Sequence, residues 1–194
     1  MADKGLPQFS AFTGSHIAIT NALYSDIAIS MPIFQPNSII QNDPRLVKAK
    51  GLWDTGATVS SISQDLATRM GLKPITTAIV HHAKGSSPTN VYYLDIYLPN
   101  GIRFPFRYML EATSVNGNFD VIIGMDIINA GDFSITNFQH KTVFTFRIPS
   151  MGTVDYVNEA KNQERSAFSK IGRNDPCLCR SGKSYKDCCW KKFH

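Results

Sequence analysis

Gly51-Leu52-Trp53-Asp54-Thr55-Gly56-Ala57 sets an apolar strand directly against an acidic turn. Val47 to Trp53 reads as the strand, and the change to small and polar residues at Asp54 marks its end. Asp-Thr-Gly alone has two readings. One is an Asx turn, in which the aspartate bonds its own backbone at a strand end; the other is a carboxylate displayed for chemistry. The wider context bears on the choice. Seventy residues on, Val121-Ile122-Ile123-Gly124 is a second apolar run closed by glycine. Between the two lies a small-residue tip, Ala83 to Pro88, joining the strand-like segments Ile75–Val80 and Asn90–Leu98.

Working outward, residues 1–15 form a short polar N-terminal arm with little periodicity. From His16 the pattern alternates: Ile17-Ala18-Ile19-Thr20 and Asp26–Ser30 read as half-buried strands. Ser63 is placed to cap a short helix whose inward residues are Leu66, Ala67 and Met70, and Gly71 stops it. Pro99-Asn100-Gly101 is a turn leading into the strand Ile102–Leu110. Phe119–Ile123 reads as a buried strand. A short helix Asp126–Ala130 follows, with Asp126 capping its start, then strands near Phe133–Phe138 and Thr142–Ile148. About eight short strands with only two short helices predict an all-β barrel or sandwich. Residues 149–170 lose the period-two pattern and read as a linker with some helical content. Trp53 and the run Phe104, Phe106, Tyr108 read as core or interface aromatics.

The order Asp54-Thr55-Gly56-Ala57, glycine-tipped hairpin, Val121-Ile122-Ile123-Gly124 resembles the retropepsin-like aspartic proteases, and Gly124-Met125-Asp126 resembles the Gly-Met-Asp of their non-viral members. The resemblance covers roughly residues 16–148 and implies a closed retropepsin-like acid-protease barrel. It implies that Asp54 is the catalytic carboxylate and that Gly56 lets a backbone N–H approach it. It also implies that the Thr55 hydroxyl bonds across a dimer, and that Ala57, Lys84, Gly85 and Ser86 meet the substrate, the last three from a flap. Peptide hydrolysis by this chemistry needs one carboxylate as base and one carboxylic acid, a pair that shares a proton because both cannot ionise together. The chain has one Asp-Thr-Gly, so the second carboxylate is expected from Asp54 of another copy, which makes the enzyme a homodimer. Ala57 stands where pepsin-type enzymes carry serine, and activity at mildly acidic to neutral pH is expected.

The four cysteines lie within thirteen residues: Cys177-Leu178-Cys179, eight residues, then Cys188-Cys189. Two close pairs separated by turn-forming Arg180–Ser184 suit a tetrahedral metal site better than a disulfide framework. So small a segment has almost no core, so a metal would supply much of its folding free energy. Gly172 to Cys189 resembles the SEC-C motif, the zinc tail of the SecA translocation ATPase. The resemblance implies structural Zn²⁺ held by Cys177, Cys179, Cys188 and Cys189, with Cys189 where SecA tails usually have histidine. It implies a zinc-binding module at 171–194 that recruits a protein, chaperone or ribosome partner.

Of the net charge of +5, residues 161–194 carry +6, from nine Lys and Arg against three acids, and the remainder −1. The basic character belongs to the tail and suits an acidic surface or RNA as well as plain solvation. No run approaches the ~18 apolar residues of a membrane span, and no basic start precedes an apolar run at the N-terminus. With the clustered thiols, this predicts a protein of the bacterial cytoplasm. The expected activity is a cytoplasmic homodimeric aspartic endopeptidase acting on extended or unfolded polypeptide. The alternative is a non-catalytic dimeric peptide-binding adaptor on the same fold, tethered by the tail to a ribosome or chaperone.

Overall fold

Trp53, the last strand residue before Asp54, is buried among Phe12, Phe133, Phe144 and Phe146, its ring stacked on Phe133 at 5.3 Å and 9°. Its indole N–H donates to Ser25 Oγ at 2.9 Å. A large side chain fixed this firmly sets where the next residue emerges. The computed structural model describes residues 8–34, 43–82, 85–112 and 118–193. These fall into two compact units, Met1–Met151 and Gly152–His194.

In the first unit the strands are β1 (Ser10–Ser15), β2 (Leu23–Ser30), β3 (Val47–Trp53), β4 (Ser61–Ser63), β5 (Thr76–His82), β6 (Gly85–Tyr97), β7 (Arg103–Ala112), β8 (Val121–Ile123), β9 (Asp132–Thr136) and β10 (Val143–Ile148). The helices are α1 (Gln64–Arg69) and α2 (Met125–Ile128). β2, β3, β8, β4, β7 and β6 follow one another, and β6 returns to β2 through Ala28↔Tyr97, Ile29↔Ile96 and Ser30↔Asp95. β6 can close this ring because it is long: its first half pairs with β5 and its last residues with β2. The expected closed barrel is therefore met by six strands. It is not a clean barrel, because β5 hangs outside the ring and β1, β10 and β9 form a separate antiparallel sheet.

Ile29, Ile62, Leu94, Ile96, Met109 and Ile123 of the strands, with Leu66 of α1 and Ile127 of α2, are fully buried in one hydrophobic core, each contributing about 1.5–3 kcal/mol over an exposed side chain. The helix predicted after Ser63 forms as read: Ser63 Oγ accepts the Leu66 N–H at 3.2 Å, and Gly71 ends it at φ +63°. One buried ion pair braces the ring. The fully buried Asp95 carboxylate sits at a bulge between β6 and β7 and accepts Arg103 Nη2 at 2.7 Å, Ile33 N–H at 2.9 Å and Phe106 N–H at 2.9 Å.

Two expectations need correction. Ile17–Thr20 is not a strand; Ile17 is 96% exposed and Ile19 59%. The strand lies instead at Ser10–Ser15, inside the expected polar arm, where pairing with β10 provides the backbone partners that composition did not advertise.

The second unit opens with α3 (Tyr156–Ser169), capped by Asp155, whose carboxylate accepts the Val157 and Asn158 N–H groups at 2.9 and 3.0 Å. Its one buried residue, Phe168, stacks on Phe193 at 4.2 Å and packs against the fully buried Tyr185. Phe168, Cys177 and Tyr185, with Ile171, Trp190 and Phe193 around them, form a small core of their own. The helix expected within the 149–170 linker thus ends as a structural part of the cysteine unit.

Candidate active site and metal centre

Asp54 lies one residue past β3, and β3 runs parallel to β8 with Trp53 opposite Ile123. The Asp54 N–H donates to the Ile123 carbonyl at 3.0 Å, carrying the pairing into the turn. The turn folds over the carboxylate: Gly56 N–H donates to Asp54 Oδ1 at 2.8 Å, and Ala57 N–H to the Asp54 carbonyl at 3.2 Å. A Cβ at Gly56 would sit 3.1 Å from Asp54 Oδ1, so glycine keeps the donor close. This geometry is an Asx turn and a displayed carboxylate at once; the two readings of Asp-Thr-Gly are not exclusive.

The loop is clamped from beneath. Met125 N–H donates to the Ala57 carbonyl at 2.8 Å. Asp126 does not cap α2, whose N-cap is Gly124 with no side-chain bond. Instead Asp126 Oδ1 accepts both the Ser60 N–H at 2.9 Å and the Ser60 hydroxyl at 2.7 Å, and Ser60 Oγ accepts the Gly124 N–H at 3.0 Å. Ser60 is fully buried, so these bonds cost little to maintain and much to break. Ser60 and Asp126 lie 66 residues apart, and no local sequence signal marks Ser60; the acidic residue after Gly124-Met125 was visible, its partner was not.

Asp54 and Thr55 line a cavity of about 580 Å³ with Ile19, Asn21, Phe133 and Asn137 among its walls. Asp54 is the one carboxylate in that lining. Ala57 is half-buried in the loop. Gly85 and Ser86 sit exposed at the start of β6, across the β5 hairpin from His82. Gly85 adopts φ +127°, a region that only glycine enters cheaply. Lys84 lies outside the described residues. Val91 of β6 is level with Leu110 of β7, whose N–H reaches the Ser60 carbonyl at 3.2 Å. The hairpin end therefore stands six residues, about 20 Å of strand, beyond the level of the loop's clamp.

In the second unit, Cys177, Cys179, Cys188 and Cys189 place their sulfurs within 4.8 Å of one another. The 177–179, 179–188 and 188–189 separations are 3.3, 3.3 and 3.7 Å, against about 3.8 Å between sulfurs around tetrahedral zinc at 2.3 Å bonds. The turn that gathers them uses Cys177 N–H to the Lys183 carbonyl, Arg180 N–H to the Cys177 carbonyl, and left-handed Arg180 and Gly182. Hydrogen bonds from Ser181, Cys177 and Cys188 hold the Cys179 thiol down to about 6. Its neighbour Cys189 is pushed up to about 12, first by its hydrogen bond with Cys177 and then by burial. Four thiols this close cannot all ionise beside one another; a divalent cation in their centre removes that conflict. The donor set fits a metal ion held by four thiolates.

Comparison with known proteins follows the same division. Residues 42–127 match the family model described as aspartyl protease, and residues 173–191 match the SEC-C motif. The chain is thus similar to an aspartyl protease over residues 42–127 and to a SEC-C motif over residues 173–191. The SecA subunit of Maridesulfovibrio salexigens is 58% identical over 59 residues, 28% of this chain and 6% of that protein. A UPF0225 protein of Shewanella sp. strain MR-7 is 30% identical over 83 residues, 36% of this chain and 51% of that protein. The chain thus spans from 6% to about half the length of these relatives. A crystal structure of a retropepsin-like aspartic protease from Rickettsia conorii aligns with 74% of this chain and 98% of that one, at 14% identity and a TM-score of 0.41. Among the described residues, no helix is long and apolar enough to cross a membrane.

Proposed function

We propose that the first unit is an aspartic endopeptidase that works as a homodimer, with Asp54 of each copy forming the catalytic pair. The observation that carries this reading is a carboxylate at a strand end, gripped by the Gly56 N–H and seated on a buried Ser60–Asp126–Gly124 clamp. Such preorganisation is unnecessary for a simple turn and valuable for a reacting group. With Asp54 as the single acid in its cavity, the second carboxylate comes from the second copy. One of the pair takes a proton from water as it attacks the peptide carbonyl, and the other donates a hydrogen bond to that carbonyl and then a proton to the departing amine. Thr55 borders the pair, and Gly85 and Ser86 of the flap hairpin hold an extended polypeptide by backbone pairing.

In the second unit, Cys177, Cys179, Cys188 and Cys189 hold a structural Zn²⁺, which replaces the thiol protons and closes the turn. The module, with its basic surface, recruits the protease to a protein, chaperone or ribosome partner in the bacterial cytoplasm. Purified protein and its Asp54→Asn variant, incubated with unfolded casein with and without a pepstatin-type inhibitor, test the reading. Cleavage by the wild type alone, blocked by the inhibitor, is expected. Equal cleavage by both proteins removes Asp54 as the catalytic group, and binding without cleavage by both removes the enzyme reading and favours the adaptor.

A further inference from the structure

We infer that a second copy of this chain docks on a two-loop platform beside Asp54, built from Ile17–Asn21 and Asn137–His140. The inference rests on the reading of Asp54 as half of a shared site, and it names the surface that brings the halves together. Ile17-Ala18-Ile19-Thr20 has the alternation of a half-buried segment, yet within one copy Ile17 is 96% exposed and Ile19 59%. Phe138, on the facing loop, is 79% exposed. A pattern that calls for a covered face is left uncovered, and it borders the Asp54 cavity, whose walls include Ile19 and Asn137.

The platform is held stiff from below by Thr142, which is almost fully buried. Its hydroxyl donates to Asn137 Oδ1 at 2.6 Å and accepts the Thr20 N–H at 3.1 Å, its N–H reaches the Ala18 carbonyl, and its carbonyl takes the His16 N–H. One residue thus binds both loops together. Gln139 and His140 adopt φ +53° and +58°, a conformation that costs non-glycine residues about 1 kcal/mol or more each. The loop thus carries a strained backbone while Phe138 beside it stays exposed. Exposed apolar groups on a preorganised frame lose little entropy on docking.

The occupant follows from charge and backbone. Residues 16–22 and 135–140 contain no Asp, Glu, Lys or Arg, and their titratable side chains are His16 and His140. Across a two-fold axis each patch meets its own copy, where any charge would face its like. An extended peptide is captured by unpaired strand backbone, whereas the loop groups of Ala18, Thr20 and His16 are already engaged by Thr142.

Sedimentation velocity of the full-length wild type, Ile19→Asp and Phe138→Asp, over about two decades of micromolar concentration, tests the platform, with circular dichroism confirming folding. The expected result is a wild-type dimer and a dissociation constant raised at least about 100-fold in both variants. Two folded variants that dimerise like the wild type overturn the platform, whatever Asp54→Asn does to cleavage. So do variants that stay dimeric but no longer bind casein, which would give the surface to substrate. An inactive wild type that still dissociates on Ile19→Asp overturns the protease reading and leaves the platform standing.

Discussion

Gly124→Ala adds one methyl group where the Asp54 loop rests on α2. Gly124 has φ −92° and ψ −174°, a conformation any residue adopts, so space alone excludes a side chain. The new Cβ would lie 2.8 Å from the Ala57 carbonyl oxygen and 2.9 Å from the Val59 carbonyl carbon. Ordinary contact begins near 3.4 Å, so the loop must retreat by about half an ångström. Both obstructing atoms are backbone and the Ser60–Asp126 bonds resist the movement, so repacking cannot absorb it. Overpacking of this kind costs about 1–3 kcal/mol, or about 2–4 °C in Tm per kcal/mol for a unit of this size. Displacement by 1 Å can cost about 100-fold in rate, so half that displacement predicts roughly a ten-fold fall in kcat/KM. Gly51→Ala is the comparison: its Cβ would meet side chains and no backbone, Ile123 Cδ1 at 2.8 Å and two Ile27 methyls at 3.2 and 3.3 Å, so the strain falls on the core and not on the Asp54 loop. Thermal unfolding and cleavage of a quenched peptide read both effects. A Gly124→Ala protein with wild-type Tm and kcat/KM would refute the clamp argument, since the methyl group would then have found room that the geometry denies it.

Arg103→Met leaves the fully buried Asp95 carboxylate with backbone partners only, and denaturant titration should show a loss of about 3–5 kcal/mol, most of it recovered in Asp95→Leu/Arg103→Met. Chelation of the metal should abolish the helical signal of Gly152–His194, since Phe168 shares its small core with Cys177, while the unfolding transition of Met1–Met151 stays in place. Asp132 accepts the Met151 N–H, the Ser150 hydroxyl and the Arg147 guanidinium, which together lower its carboxyl from 3.8 to about 2. A lowered folded value means stability present above pH 4 and lost as pH falls towards 2. Asp132→Asn should therefore remove part of the acid limb of a Tm-against-pH curve, and an unchanged limb would count against this clasp.

How much of this could be read in advance varies by element. Asp54, Gly124 and the α1 cap were legible because each is local: a strand end, a close approach, a Ser63 three residues before Leu66. The cysteine cluster was legible for the same reason. β1 was not, because Ser10–Ser15 holds one large apolar side chain, Phe12, and earns its strand from β10 more than 120 residues away. Ile17–Thr20 misled in the opposite direction: its alternation is real, but Ile17 and Ile19 stay exposed and the segment pairs with no strand. Ser60 gave no sign, since its role depends on Asp126 meeting it through the fold. Phe168 was within reach: an aromatic shortly before a cysteine cluster already rich in Tyr185, Trp190 and Phe193 suggests a helix that completes the cluster's core.

The parallel pairing of β3 with β8 has a consequence in time. Asp54 is synthesised well before Gly124, and until β8 arrives nothing seats its loop: the Ile123 carbonyl, the Gly124 contact and the Asp126 anchor are all missing. Closing a loop of this length comes late in folding. A growing or truncated chain that ends before Gly124 carries the Asp54 carboxylate but none of the contacts that seat its loop. The order of synthesis and the order of assembly therefore differ: Asp54 is made early, and its position is set only when β8 and Asp126 join β3.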